Sequence, residues 1–156
     1  MSDATGLAAG WRTLLADRRV AGLFAAAAGV PLHLVGGAVR DAGLGRPVHD
    51  LDVVVAASGA AIAARFAAAT GARLVALGGD RFGALRLVAG DDHVDLWDLQ
   101  GGELLPDLWR RDFTVNAIAL GVPGGAVVDP TGGQEDLLGR RLRATRPEVF
   151  AEDPVR

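Results

Sequence analysis

The run Leu34-Val35-Gly36-Gly37-Ala38-Val39-Arg40-Asp41, followed at the next apolar segment by Asp50-Leu51-Asp52, decides how this chain folds. Leu32 to Val35 is a short buried strand, Gly36-Gly37 a tight turn, and Ala38 to about Leu44 a short helix. Leu51 to Val55 is a second strand, whose continuous apolar character fits burial on both faces. Side chains alternate along a strand, so Asp50 and Asp52 share one face while Leu51 and Val53 take the other. Two carboxylates thus stand side by side on a sheet, close to a glycine turn that opens a helix.

Carboxylates that close repel each other unless a proton or a cation lies between them. A hard, oxygen-ligated ion such as Mg²⁺ resolves the conflict, although an isolated Asp-x-Asp also occurs at solvated strand ends. The Gly36-Gly37 pair has two readings as well. It lets phosphate oxygens approach backbone N–H groups at a helix start, or it is only a turn. Arg40, one turn into the helix, either reaches a triphosphate as a bidentate donor or pairs with an acid such as Asp41.

A second dense stretch lies downstream: Arg110-Arg111-Asp112-Phe113-Thr114-Val115-Asn116, ahead of the apolar run Ala117 to Leu120. An ordinary helix or strand needs no such density of hydrogen-bonding groups, whereas a site that grips a nucleotide does. Between the two stretches, Ser58 can cap a helix containing Ile62 and Phe66 that ends at Gly71. Arg73 to Leu77, Ala84 to Val88 and His93 to Leu99 read as three strands. Helices are expected over about Leu104 to Arg110 and Gly132 to Leu138, while Asn116 to Leu120 fits helix or strand. Upstream, Trp11, Leu14, Leu15, Val20, Leu23 and Phe24 suggest helical packing with a phase break near Asp17–Arg19, and residues 1–10 are expected to be loose. The sum is an α/β or α+β domain with one mixed sheet flanked by helices.

Composition narrows the chemistry. The 156 residues, half of them hydrophobic, fit one domain with a proper core. Cysteine is absent, which excludes disulfides, thiolate metal sites and a cysteine nucleophile. Carboxylates and three His remain as metal ligands, favouring Mg²⁺ over Zn²⁺. A net charge of −3 argues against a strong free-standing nucleic-acid binder. Every basic residue is Arg, so a P-loop lysine and a Schiff-base lysine are excluded. Arg18-Arg19 before an apolar run has the look of an export leader. The run is interrupted by Gly22, Gly29, Pro31 and His33 and is too short to span a membrane, so a cytoplasmic protein without membrane association is expected. His33, in an apolar strand, reads as structural and His49 as a loop residue, rather than as acid–base groups.

Together these motifs resemble the head domain of the tRNA nucleotidyltransferase (CCA-adding enzyme) and bacterial poly(A) polymerase family, within the DNA polymerase β-like nucleotidyltransferase superfamily. Leu34 to Asp41, Leu44-Gly45-Arg46 and Asp50-Leu51-Asp52 carry the first motif, and Arg110 to Ala117 the second. Asp129-Pro130-Thr131-Gly132-Gly133 with Asp136-Leu137 and Leu142-Arg143 carries the third, and Glu152-Asp153-Pro154-Val155-Arg156 opens the fourth. The resemblance implies a nucleotidyltransferase fold with a mixed, mainly antiparallel sheet, over residues 11–156 and cut at the start of the neck. It also implies roles. Asp50 and Asp52 would hold two catalytic Mg²⁺ ions; Gly36, Gly37 and Arg40 would cradle the triphosphate. Arg111 and Asp112 would face the phosphates and ribose, with Asn116 bracing them, and Asp153 and Arg156 would read the base edges of CTP and ATP. Asp95 is a candidate third catalytic carboxylate, or else a surface residue of an acidic segment; Gln100 stands where the family usually has Arg.

The implied activity is attack of a tRNA 3′-hydroxyl on the α-phosphate of CTP or ATP, as in CCA addition. A poly(A) polymerase head, or a non-catalytic nucleotide- or RNA-associating module, is the alternative. RNA contacts are expected to lie mostly in regions beyond this chain.

Overall fold

The computed structural model describes residues 3–77 and 83–149. Two helices open the chain, α1 (Ala4–Leu15) and α2 (Arg18–Ala27). They are followed by β1 (Leu32–Val35), α3 (Gly36–Gly43), β2 (Asp50–Val55) and α4 (Gly59–Thr70). Next come β3 (Arg73–Leu77), β4 (Ala84–Ala89), β5 (Asp92–Asp98) and α5 (Leu104–Trp109). The described part closes with β6 (Ala119–Val122), β7 (Val127–Val128) and α6 (Gly133–Leu138). The seven strands form one sheet in the order β3-β4-β5-β2-β1-β6-β7, antiparallel everywhere except between β2 and β5. The mixed, mainly antiparallel sheet flanked by helices is therefore present as expected.

The two faces of this sheet differ. Leu51, Val53 and Val55 of β2 join Leu32 and Leu34 of β1, Val94 and Leu96 of β5 and Leu120 of β6 in the main core. Leu7, Trp11 and Leu14 of α1, Val20 and Leu23 of α2, Val39 of α3, Ile62 and Phe66 of α4 and Leu137 of α6 cover them. A smaller cluster on the other face gathers Val35, Val54, Leu99, Leu108, Ala117 and Ala119, with α5 as its helical contribution through Leu108. Asp50, Asp52, Asp95 and Arg86 share that second face by strand alternation and register.

Two expectations need correcting, and a third segment left open is settled. The N-terminal stretch expected to be loose is helical from Ala4, with the Asp3 side chain accepting from the Gly6 amide and Leu7 buried. Gly10 packs so tightly on α3 that an added Cβ would lie 1.9 Å from the Ala42 carbonyl oxygen, and Trp11 Nε1 donates to the Val39 carbonyl at 2.9 Å. A short periodic segment gains helix here because α3 supplies a surface to bury against. Second, Ser58 occupies the N-cap of α4 without a side-chain bond. Asp98 of β5 accepts the Gly59 amide at 2.7 Å instead, a cap supplied across the fold. Third, the ambiguous Asn116–Leu120 segment divides: a 3₁₀ turn spans Thr114–Asn116 and strand β6 begins at Ala119. β7 was unforeseen.

Candidate active site

Gly36 is the pivot between β1 and α3. Its φ is +69°, and a Cβ there would stand 2.5 Å from Asp52 Oδ2 and 3.3 Å from Arg111 Nη1. Both the left-handed backbone and the close approach therefore demand glycine. The next amide, that of Gly37, donates to the Asp52 carboxylate. Asp52 is half-buried, whereas the Asp50 side chain is 69% exposed and takes the His93 ring Nδ1 at 3.0 Å. Parallel register sets Asp95 of β5 directly beside Asp52. Burial pushes the Asp52 carboxyl above its ordinary range, and the charges of Asp95 and Asp50 add to this; the Arg111 guanidinium and the Gly37 amide oppose it. A carboxylate buried beside two others is one that a cation relieves.

The cleft in front of these acids has a volume of about 410 Å³ and is lined by Gly37, Arg40, Asp41, His49, Asp50, Asp52, Arg86 and Asp95, among others. Arg86 forks onto Asp95, Nε to Oδ1 at 2.7 Å and Nη2 to Oδ2 at 2.6 Å. That bond and the neighbouring carboxylates hold the guanidinium firmly charged.

Arg40 makes the acid pair that the sequence offered as one of its two readings. Its Nε and Nη2 pair with Asp41 at 3.0 and 2.8 Å, while Nη1 donates to Asn116 Oδ1 at 2.8 Å. Asn116 Nδ2 in turn donates to Asp112 Oδ1 at 3.0 Å. One hydrogen-bonded chain thus joins the glycine-turn helix to the second polar stretch. Arg111 binds Asp107 Oδ2 through Nε and Nη2 at 3.1 and 2.9 Å and lies 5.7 Å from the Trp97 ring centroid. A second cleft of about 490 Å³ opens there, lined by Trp97, Gln100, Arg110, Arg111 and Asp112 among others. The Gln100 amide oxygen accepts Arg110 Nη1 at 2.8 Å.

The third polar stretch braces the second. Asp136, 1% exposed, accepts Thr114 Oγ1 at 2.7 Å and pairs with Arg143 and Arg141. Burial alone would raise its pKa, but the Thr114 and Arg143 hydrogen bonds and the two positive charges hold it below the usual range. Phe113 bridges to Ala144, and the Thr145 hydroxyl donates to the Arg111 carbonyl.

The matched family model is the poly(A) polymerase head domain, over residues 32–100 and 99–143. The chain belongs to that family. It is 39% identical over 123 residues to a CC-adding tRNA nucleotidyltransferase of Geobacter sulfurreducens, covering 78% of this chain and 29% of that protein. It is 40% identical over 133 residues to a multifunctional CCA protein of Halorhodospira halophila, covering 80% and 32%. Among solved structures, a Thermotoga maritima CCA-adding enzyme complexed with tRNA superimposes with a TM-score of 0.77 at 30% identity, covering 92% of this chain and 37% of that one. The chain spans about a third of the length of these relatives.

Gly37, Arg40, Asp50, Asp52 and Asp95 line the first cleft and Arg111 and Asp112 the second, while Gly36, against Asp52 and Arg111, and Asn116, between Arg40 and Asp112, join the two. Asp153 and Arg156 lie outside the described residues. Two contributors escaped the sequence reading. His93 pairs with Asp50, which follows from a β2–β5 register that no local pattern discloses. Arg19 was read only as half of an Arg-Arg pair. Its side chain is 11% exposed and reaches three elements. It forks onto Asp17, donates Nη2 to the Val48 carbonyl at 2.9 Å and Nη1 to the His49 carbonyl, and pairs with Asp92 at 3.2 Å. Arg19 thereby fixes the loop that delivers Asp50 and the start of the strand that carries His93. No helix among the described residues is long and apolar enough to cross a membrane.

Proposed function

We propose that this chain is the catalytic head of an RNA nucleotidyltransferase that extends the 3′ end of tRNA with nucleotides drawn from CTP and ATP. The observation that carries the reading is the Asp50–Asp52 pair facing a cleft walled by the Gly36–Gly37 turn and Arg40. Its membership of the head-domain family and its similarity to tRNA nucleotidyltransferases support it.

The donor set fits Mg²⁺: two same-face carboxylates with hard oxygens, one of them raised in pKa by burial and, to a smaller extent, by neighbouring negative charge. Among the described residues no group of three or more acidic or imidazole side chains is gathered to hold an ion. Such a pair matches the habit of Mg²⁺ of taking one or two carboxylates and completing its shell with water and phosphate oxygens. Asp50 and Asp52 would hold the ions, which would supply charge neutralisation at the phosphates and acidification of the attacking hydroxyl.

The reaction forms a bond from the RNA 3′ oxygen to the α-phosphorus and breaks the α–β phosphoanhydride, releasing pyrophosphate; the hydroxyl proton leaves to a base or water. Amides at the start of α3 and the Arg40 guanidinium would orient the triphosphate. Arg111 and Asp112, held by Asp107 and Asn116, would fix phosphate and ribose, so positioning supplies much of the acceleration. Asp153 as acceptor and Arg156 as donor would read the base edge, in place of a template strand. The reading places this activity in the cytoplasm.

The test is primer extension on tRNA lacking its 3′ CCA, with CTP and ATP supplied separately and together. Addition of C and then A supports CCA addition, and A tracts alone indicate a poly(A) polymerase. No product, with nucleotide binding retained, identifies a module that holds nucleotide without transferring it.

A further inference from the structure

The Arg86–Asp95 pair is unused by the mechanism above, yet it forms one wall of the same cleft. The two residues are direct partners in the β4–β5 antiparallel register, and Asp95 is the direct partner of Asp52 across β2–β5. Arg86, Asp95 and Asp52 therefore form a row across three strands on the carboxylate face. Asp95 is 17% exposed and both of its oxygens are bound by one guanidinium, at 2.7 and 2.6 Å. A guanidinium does not deprotonate in a protein, and its planar fork matches a carboxylate in two bonds at once.

We propose that Arg86 is a built-in counter-cation that withholds Asp95 from the metal and confines divalent-cation binding to Asp50 and Asp52. This rests on the metal reading given above. For Asp95 to become a ligand, the ion would have to break two charge-assisted hydrogen bonds and leave Arg86 stranded among cations. Mg²⁺ gains little from that exchange, because phosphate oxygens and water complete its shell equally well. The pair also sets the charge of the cleft. Three acids in a row would collect cations without nucleotide; with Arg86 present, the surplus corresponds to the two acids of β2.

The test uses the 156-residue chain and Mn²⁺ as the probe, titrated calorimetrically without nucleotide and followed by electron paramagnetic resonance for bound ion. The double variant Arg86→Gln with Asp95→Asn exchanges the ion pair for a neutral amide pair and leaves net charge unchanged. Its Mn²⁺ affinity is expected to stay within about twofold of the unaltered chain. Arg86→Gln alone frees a carboxylate, and Mn²⁺ is expected to bind at least about fivefold tighter. A loss beyond about threefold in the double variant would show Asp95 to be a ligand, and no tightening in Arg86→Gln would show that Arg86 withholds nothing; either overturns the proposal. Circular dichroism checks that each variant is folded, and either arm alone decides. Failure of the unaltered chain to bind Mn²⁺ at millimolar concentration would overturn the metal reading itself, an outcome distinct from the other two.

Discussion

The two faces of one strand, β2, make opposite demands on the protein. Leu51, Val53 and Val55 point into a core covered by five helices and are fully buried. Asp50 and Asp52, one residue out of phase, look into an open cleft that also holds Arg40, Asp41, Arg86 and Asp95. The first face holds the domain together through apolar burial, and the second uses the rigidity so obtained to keep like charges close. Stability and chemistry are therefore separable by single-residue steps along the strand, and substitutions can test how cleanly.

The largest effect is expected on the core side. Leu51→Ala should cost about 2–5 kcal/mol of unfolding free energy, seen as a lower urea midpoint with an unchanged slope. Gly36→Ala, at the junction of the faces, forces a Cβ onto Asp52 and a side chain into φ +69°. About 1–3 kcal/mol should be lost, together with nucleotide binding by calorimetry. Arg19→Lys keeps the charge but loses the fork and the carbonyl bonds. A destabilisation of about 1–2 kcal/mol and weaker Mn²⁺ binding are expected; unchanged Mn²⁺ binding would confine Arg19 to a structural role.

On the site side the sign reverses. Asp52→Asn removes a carboxylate whose ionisation the fold disfavours, so the melting temperature should rise by about 2–4 °C while Mg²⁺-dependent nucleotide binding disappears. A fall in melting temperature would mean that Asp52 is a structural acid. The smallest effect is on pH. Because the folded-state pKa of Asp52 is raised above the ordinary carboxylate value, its ionised form is lost at a higher pH than an ordinary Asp would lose it. Mg²⁺-dependent nucleotide affinity should therefore weaken as pH falls through that raised pKa, while the stability penalty of the ionised Asp52 is relieved over the same interval. An affinity that follows an ordinary carboxylate titration would contradict the burial of Asp52 beside Asp95 and Asp50.

Legibility in the sequence tracked the distance over which each interaction acts. The strand–turn–helix–strand of Leu32 to Val55 was readable because alternation, glycine and an apolar run are local signals. Arg40 was readable as a binder of acid or phosphate, but its link to Asn116 and Asp112 was not, because they arrive from far along the chain. Ser58 misled for the same reason: its cap is provided by Asp98, forty residues on and brought near only by the β2–β5 pairing. The helical N-terminus was missed because its composition is loose, and only packing of Gly10 and Trp11 on α3 makes it helix.

By itself the sequence determined which residue types carry charge, where the chain turns, and that Asp50 and Asp52 share a face, since these follow from bonding geometry within a few residues. Only the tertiary structure decided the company those acids keep. The register of β5 against β2 sets Asp95 beside Asp52 and His93 beside Asp50, and that of β4 hands Asp95 to Arg86. The physical reason is that electrostatic and hydrogen-bond partners are chosen by proximity in space, which the chain settles only when its apolar face is buried.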